Sequence, residues 1–193
     1  MAKKEIETYC PANQSDWRKW LKKNHSSSQS VWLVFFKASS STPNLSWSEA
    51  VDQALCYGWI DSTKKTLDDE RYIQLFSKRK AQSTWSKINK EKVEKLTSLG
   101  LIEKAGYDSI EVAKANGQWS FLDDVHNLII PEDLEKELKI NSNSYDFYLG
   151  LSDSKQKLIL HWVVLAKRPE TRAKRIQDVV SAASKGLLPN QLS

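Results

Sequence analysis

The sequence predicts an α+β protein: a small antiparallel sheet with flanking helices, followed by a helical C-terminal portion. Two short runs, residues 31–37 and 72–76, are rich in β-branched and aromatic side chains and bounded by polar loops, as buried strands are. From Ser83 onward the apolar residues recur at helical spacing instead. A chain of 193 residues, 40% hydrophobic, is long enough to bury a core without disulfides or metal. Asp123-Asp124 before the last helices places a boundary there, giving an α+β domain at 1–122 and a helical domain at 123–193.

In order, residues 14–23 read as a helix with Trp17, Trp20 and Leu21 inward, followed by a Ser/Asn loop and the first strand. Residues 39–41 and Pro43 make a second loop. Ser46-x-x-Glu49 is a capping box, and Trp47, Ala50, Val51, Ala54 and Leu55 then mark the apolar face of a helix. Gly58 ends it. A strand at 59–62, a polar connection at 64–71 and the strand at 72–76 follow, antiparallel because the link is too short for a crossover.

Ser83 or Ser86 caps a helix with Trp85, Ile88, Val93, Leu96 and Leu99 on one stripe, stopped by Gly100. Asp108-x-x-Glu111 opens another, closed by Asn116-Gly117. Pro131-Glu132-Asp133 suits a first helical turn, leading through Leu134 and Leu138 to a polar break at 141–144. Residues 145–149 form a helical turn. Asp153 caps a helix with Leu158, Ile159, Trp162 and Leu165 inward. Pro169 opens the last one, striped by Ile176, Val179, Val180 and Ala183 and stopped at Gly186.

Composition narrows the function classes. No run approaches 18 apolar residues, so no membrane-inserted helix is expected, and the charged residues 1–7 lack a signal peptide's apolar stretch, which places the chain in the cytoplasm. Cys56, in an apolar stretch, reads as a buried free thiol. Neither a nucleophilic triad, a metal-ligand set nor a phosphate-binding glycine loop is present in the sequence, so no cofactor or metal is expected. The net charge of +5 is unevenly placed: residues 62–99 carry 10 basic and 5 acidic groups, 100–166 carry 6 and 11, and 167–193 carry 6 and 2.

Three clusters could carry chemistry. Arg79 and Lys80 lead into a helix start with Ser83, Trp85 and Asn89, where basic groups and free N–H donors can hold an anion. Trp59 and Asp61 follow Gly58, with Asp61 free to act as clamp, acid or base. Arg168, Arg172 and Arg175 share one helix face as candidate anion or interdomain contacts, and an acidic partner from the 100–166 segment is the favoured reading. Aromatics interleaved with Lys and Arg fit a nucleic-acid platform, but a tryptophan-rich core covered by basic stems outweighs it.

Taken together, the run 54–61 (ALCYGWID), Arg79-Lys80 with Ser83, Trp85-Ser86 and Asn89, Ala105-Gly106, Ala113-Lys114, Gly117-x-Trp119, and 166–172 (AKRPETR) with Arg175-Ile176 resemble the YdeI/OmpD-associated, or bacteriocin-protection, family. The likeness runs in order from about residue 10 to 185. Departures are small: Ser77-Lys78 replaces a common Thr-Pro, and Ile102 and Lys104 replace a Met and a Pro. The resemblance implies links to antimicrobial-peptide resistance and to an outer-membrane porin, and a signature surface of Trp59, Asp61, Arg79, Ser83, Trp85 and Asn89. It implies no catalytic residue set.

The expectation is a non-enzymatic binding or stress-protection protein of bacterial origin. Its pocket, lined by Trp59, Asp61, Arg79, Lys80, Ser83, Trp85 and Asn89, takes an anionic or mixed-charge ligand, with a small molecule or a protein as partner. Nucleic-acid binding through 62–99 and 167–185 is the alternative, and an enzyme using Asp61 and Arg79 the second.

Overall fold

Val31, Leu33 and Phe35, at every second position of one strand, turn a face of the sheet toward two helices that seal it. A computed structural model describes residues 6–37, 40, 43–140 and 142–192. The chain divides into two compact units, Met1–Ser120 and Phe121–Ser193.

In the first unit, β1 (Thr8–Tyr9) pairs in parallel with β2 (Ser30–Phe36), while β4 (Arg71–Lys78) runs antiparallel to both β2 and β3 (Trp59–Thr66). The order is β1-β2-β4-β3, a mixed four-stranded sheet. Two-residue β1 is too short to leave a sequence period, which is why the parallel edge was not foreseen. Half of the expected polar connection at 64–71 is strand: a register shift between Asp61 and Lys64 lets β3 continue to Thr66, and β4 begins at Arg71.

Val31, Leu33, Phe35 and Phe76 pack under α1 (Gln14–Asn24) and α2 (Trp47–Cys56). Trp17 meets Phe76 edge-on at 5.5 Å and donates its indole N–H to Ala50 O at 3.1 Å, tying the two helices together. The Ser46–Glu49 capping box forms as read, and Cys56 is fully buried. Trp47 departs from expectation. It stands first in the helix, at the edge of the apolar face, and is 44% exposed.

The next two helices are α3 (Lys87–Ser98), capped by Ser86, and α4 (Lys104–Ala115). Val93 and Leu96 are buried, but Ile88 and Leu99, assigned to the same stripe, are exposed. The stripe misled because Trp85 precedes the helix and does not share its period. Helix α4 opens four residues ahead of Asp108, which pairs with Lys104 on its surface.

The second unit consists of α5 (Asp123–His126), α6 (Glu132–Lys139), α7 (Ser142–Leu149), α8 (Asp153–Val164) and α9 (Pro169–Ala183). Leu134, Leu138, Tyr148, Leu160, Val163 and Val179 form its centre. Residues 142–144, expected in a polar break, begin α7 instead: Ser144 is buried and its hydroxyl reaches Val180 O. On α8 the buried face is Ile159, Leu160 and Val163, rotated from the expected one, so that Leu158 and Leu165 are exposed. Residues 1–5, 39, 41 and 141, on which the N-terminal and two loop expectations partly fall, lie outside the described residues.

Candidate functional site

The site grows from a crossing of two backbone segments. Helix α2 ends at Cys56, and Gly58 turns the chain with φ +70° into β3. A side chain at Gly58 would meet Ala105 O at 2.6 Å, and one at Gly106 would meet Cys56 O at 2.5 Å. Both glycines are therefore required by close approach, with the turn before β3 lying against the first turn of α4. Glu103 N donates to Cys56 O at 3.0 Å, closing the contact.

At the end of β4, Arg79 N donates to Gly58 O at 2.9 Å, so the same crossing fixes the arginine. Its guanidinium carbon lies 3.5 Å from the centroid of the Trp85 ring, and Nη1 donates to Thr84 O at 3.2 Å. Nε and Nη2 are buried and have no partner among the described residues. These two atoms form one edge of the guanidinium, the fork that grips a carboxylate or phosphate with two parallel bonds. Burial lowers the Arg79 pKa to about 10, well below the ordinary arginine value, against the opposing pull of the Asp61 carboxylate.

The same fork on Arg172 is satisfied inside the second unit. Arg172 Nε and Nη2 donate to Asp133 Oδ2 and Oδ1 at 2.6 and 2.8 Å. Its Nη1 reaches Val163 O, and Arg175 Nη1 donates to Trp162 O while its guanidinium covers the Trp162 ring at 5.2 Å. These two arginines of α9 thus bind the last carbonyls of α8, groups a helix end leaves without partners. Arg168 is exposed at the start of α9.

The other predicted residues separate. Ser83 Oγ accepts from Lys80 N at 3.2 Å and Asn116 Nδ2 donates to Ala81 O at 2.7 Å, so Lys80 and Ser83 belong to a braced turn beside Arg79. Trp85 is buried against Trp119, ring centroids 5.0 Å apart. Trp59 is fully buried, edge-on to Trp20, with its indole N–H toward His25 O; it is a core residue and lines no open wall. Asn89 uses its backbone N–H on the Ser86 cap.

Asp61 Oδ2 accepts from Trp47 Nε1 at 2.9 Å and Gln74 Nε2 at 2.8 Å. Trp47 and Gln74 were missed in the sequence. Gln74 carried a readable signal: it occupies an inward position between Tyr72 and Phe76, where a buried amide demands a partner. The basic groups of the β3–β4 hairpin partly cover the chain's own aromatics, with Lys64 over Tyr72 and Lys65 over Trp32. No group of three or more His, Cys, Asp or Glu among the described residues could hold a metal ion. No helix among them is long and apolar enough to cross a membrane.

Residues 9–109 match the domain of unknown function DUF8412, and residues 127–186 match the family described as bacteriocin-protection, YdeI or OmpD-associated. The first match spans more than half of the chain. The chain belongs to the DUF8412 domain family, and its C-terminal part matches the YdeI/OmpD-associated module. The module contains the Asp133–Arg172 pair, whereas Arg79, Trp85 and Asp61 lie in the DUF8412 domain, so the motifs likened to one family are divided between two matches. No curated protein and no solved structure matches the chain.

Proposed function

We propose that this chain is a non-enzymatic binding protein, serving stress protection of the bacteriocin- or peptide-resistance kind, whose DUF8412 domain holds an anionic or mixed-charge small ligand at Arg79. One observation carries the reading: the Nε/Nη2 fork of Arg79 is buried without a protein partner, while the equivalent fork of Arg172 grips a carboxylate. A buried cation with unmet donors costs stability unless something compensates it. A carboxylate, phosphate or sulfate supplies that compensation. Asp61, the carboxylate that acts on Arg79, offers the opposite charge a mixed-charge ligand needs.

Because the fork is sealed, the braced turn at 80–84, which Arg79 itself grips through Thr84 O, is the segment that gives way on binding. The test is a thermal-shift panel of carboxylates, phosphates and sulfate on the wild type, Arg79→Lys and Arg79→Met. The wild type is expected to be stabilised by at least one anion, with loss of that response in both variants, since lysine keeps the charge but not the fork. An identical response in Arg79→Met, or none in the wild type, overturns the reading.

A further inference from the structure

Eight tryptophans occur in the chain, and seven of them are occupied by the protein itself. Trp17 stacks on Trp20, and Trp59 meets Trp20 edge-on, within the core of the first unit. Lys65 covers Trp32, Arg79 covers Trp85, Lys90 and Lys114 approach Trp119, and Arg175 covers Trp162. Trp47 differs. It is 44% exposed, and neither face meets a ring or a cation among the described residues.

An exposed tryptophan left to itself rotates, but Trp47 is held. Its indole N–H is bound by Asp61 Oδ2, which also accepts from Gln74, itself 6% exposed and donating a second bond to Ser62 O at 3.1 Å. The aromatic plane is therefore fixed by a hydrogen-bond relay that runs from the core outward. Asp61 Oδ1 takes no hydrogen bond from the described residues, and it is not among the sealed unpartnered atoms. A fixed π-face beside an available carboxylate oxygen is the arrangement that binds an organic cation: the ring quadrupole attracts the charge while the carboxylate accepts its N–H.

We infer that Trp47 and Asp61, positioned by Gln74, form a recognition site for an alkylammonium or guanidinium group, carried by a small amine or by a basic side chain of a peptide. The positive end of helix α2 opposes a cation there, and Glu49 in the same first turn offsets it. The inference extends the mixed-charge reading by naming its cationic end. Its test contains no oxyanion ligand, so the two fail separately.

The experiment follows the tryptophan indole N–H signals by NMR, with Trp47 assigned through Trp47→Phe. N-acetyl-lysine methylamide, N-acetyl-arginine methylamide and tetramethylammonium chloride are titrated in turn, against the uncharged N-acetyl-norleucine methylamide. The Trp47 signal is expected to shift saturably with the cations and about tenfold more weakly with norleucine. Asp61→Asn, which keeps an oxygen for the indole N–H, is expected to weaken the cations about tenfold.

If Asp61→Asn loses its fold, calorimetry of tetralysine on Trp47→Leu, at an exposed helix start, shows a drop of similar size. Tetralysine much tighter than the single residue identifies a peptide source, and equal affinity per group a small amine. A Trp47 signal that does not move, or that moves equally with norleucine, overturns the inference. So does unchanged affinity in a folded Asp61→Asn.

Discussion

Arg79 lies over Trp85 with its guanidinium carbon 3.5 Å from the ring centroid, held there by Thr84 O and leaving Nε and Nη2 buried without partners. Such an arrangement favours function over stability in the free protein. Arg79→Met keeps an unbranched stem over Trp85 and removes the charge. It is expected to raise the free protein's stability by about 1–3 kcal/mol, measured by urea unfolding at pH 7.

That gain depends on pH with a definite sign. The folded-state pKa of Arg79, about 10, lies below its ordinary value, so above about pH 10 the unfolded chain binds more protons. Wild-type stability therefore rises relative to the variant as pH climbs past about 10. The advantage of Arg79→Met is expected to be flat from about pH 7 to 9 and to shrink above about 10; an advantage that grows in that range contradicts the burial argument.

Asn116 braces the turn beside Arg79 through Ala81 O. Asn116→Ala removes the brace at a cost of about 1 kcal/mol and makes opening easier. The anion-induced thermal shift is expected to increase while the unliganded melting temperature falls, because a smaller share of the binding energy goes into opening. A shift that falls in step with the melting temperature assigns the brace to structure alone.

Gly106 lies within α4, where helix propensity alone would make alanine better by about 1 kcal/mol. Its Cβ would stand 2.5 Å from Cys56 O, a backbone atom. Gly106→Ala is expected to destabilise by about 2–4 kcal/mol and to weaken the anion response, since the crossing also sets the Gly58 O that holds Arg79. At Gly100, which has open space around it, alanine costs only the backbone penalty of about 1 kcal/mol.

In the second unit, Arg172 holds the Asp133 carboxyl below the ordinary carboxylate pKa of 3.8. The stability this contributes is present above that value and lost as pH falls through the lower, folded one. Asp133→Asn is expected to cost about 1 kcal/mol at neutral pH and progressively less as pH falls below the ordinary carboxylate range, read from the difference in denaturant midpoints.

Much of this molecule was legible in its residues. The Ser46–Glu49 capping box, the β4 strand and the buried faces of α1 and α6 follow from local spacing, because each is decided by neighbours within one or two turns. Arg79 was legible as a candidate charge, although the helix it was read with begins only at Lys87, beyond the braced turn. The length of β3 was not, because it depends on a register shift against β4, and the exposure of Trp47 was not, because the helical period puts that residue at the margin of the buried face.

By itself, the sequence determined the fold class, the Ser46 and Ser86 caps and the basic group at the centre of the candidate site. The tertiary structure decided which tryptophans are core and which is presented, and which arginine fork is filled. Trp59 and Trp47 are the same residue type, yet one lies under Trp20 and the other stands outward on Asp61; Arg79 and Arg172 are likewise one residue type, yet only the second has its fork on a carboxylate. Local spacing reports which face of its own element a side chain occupies. Whether that face meets the core, a partner charge or solvent depends on elements distant in the chain, and only their packing sets it.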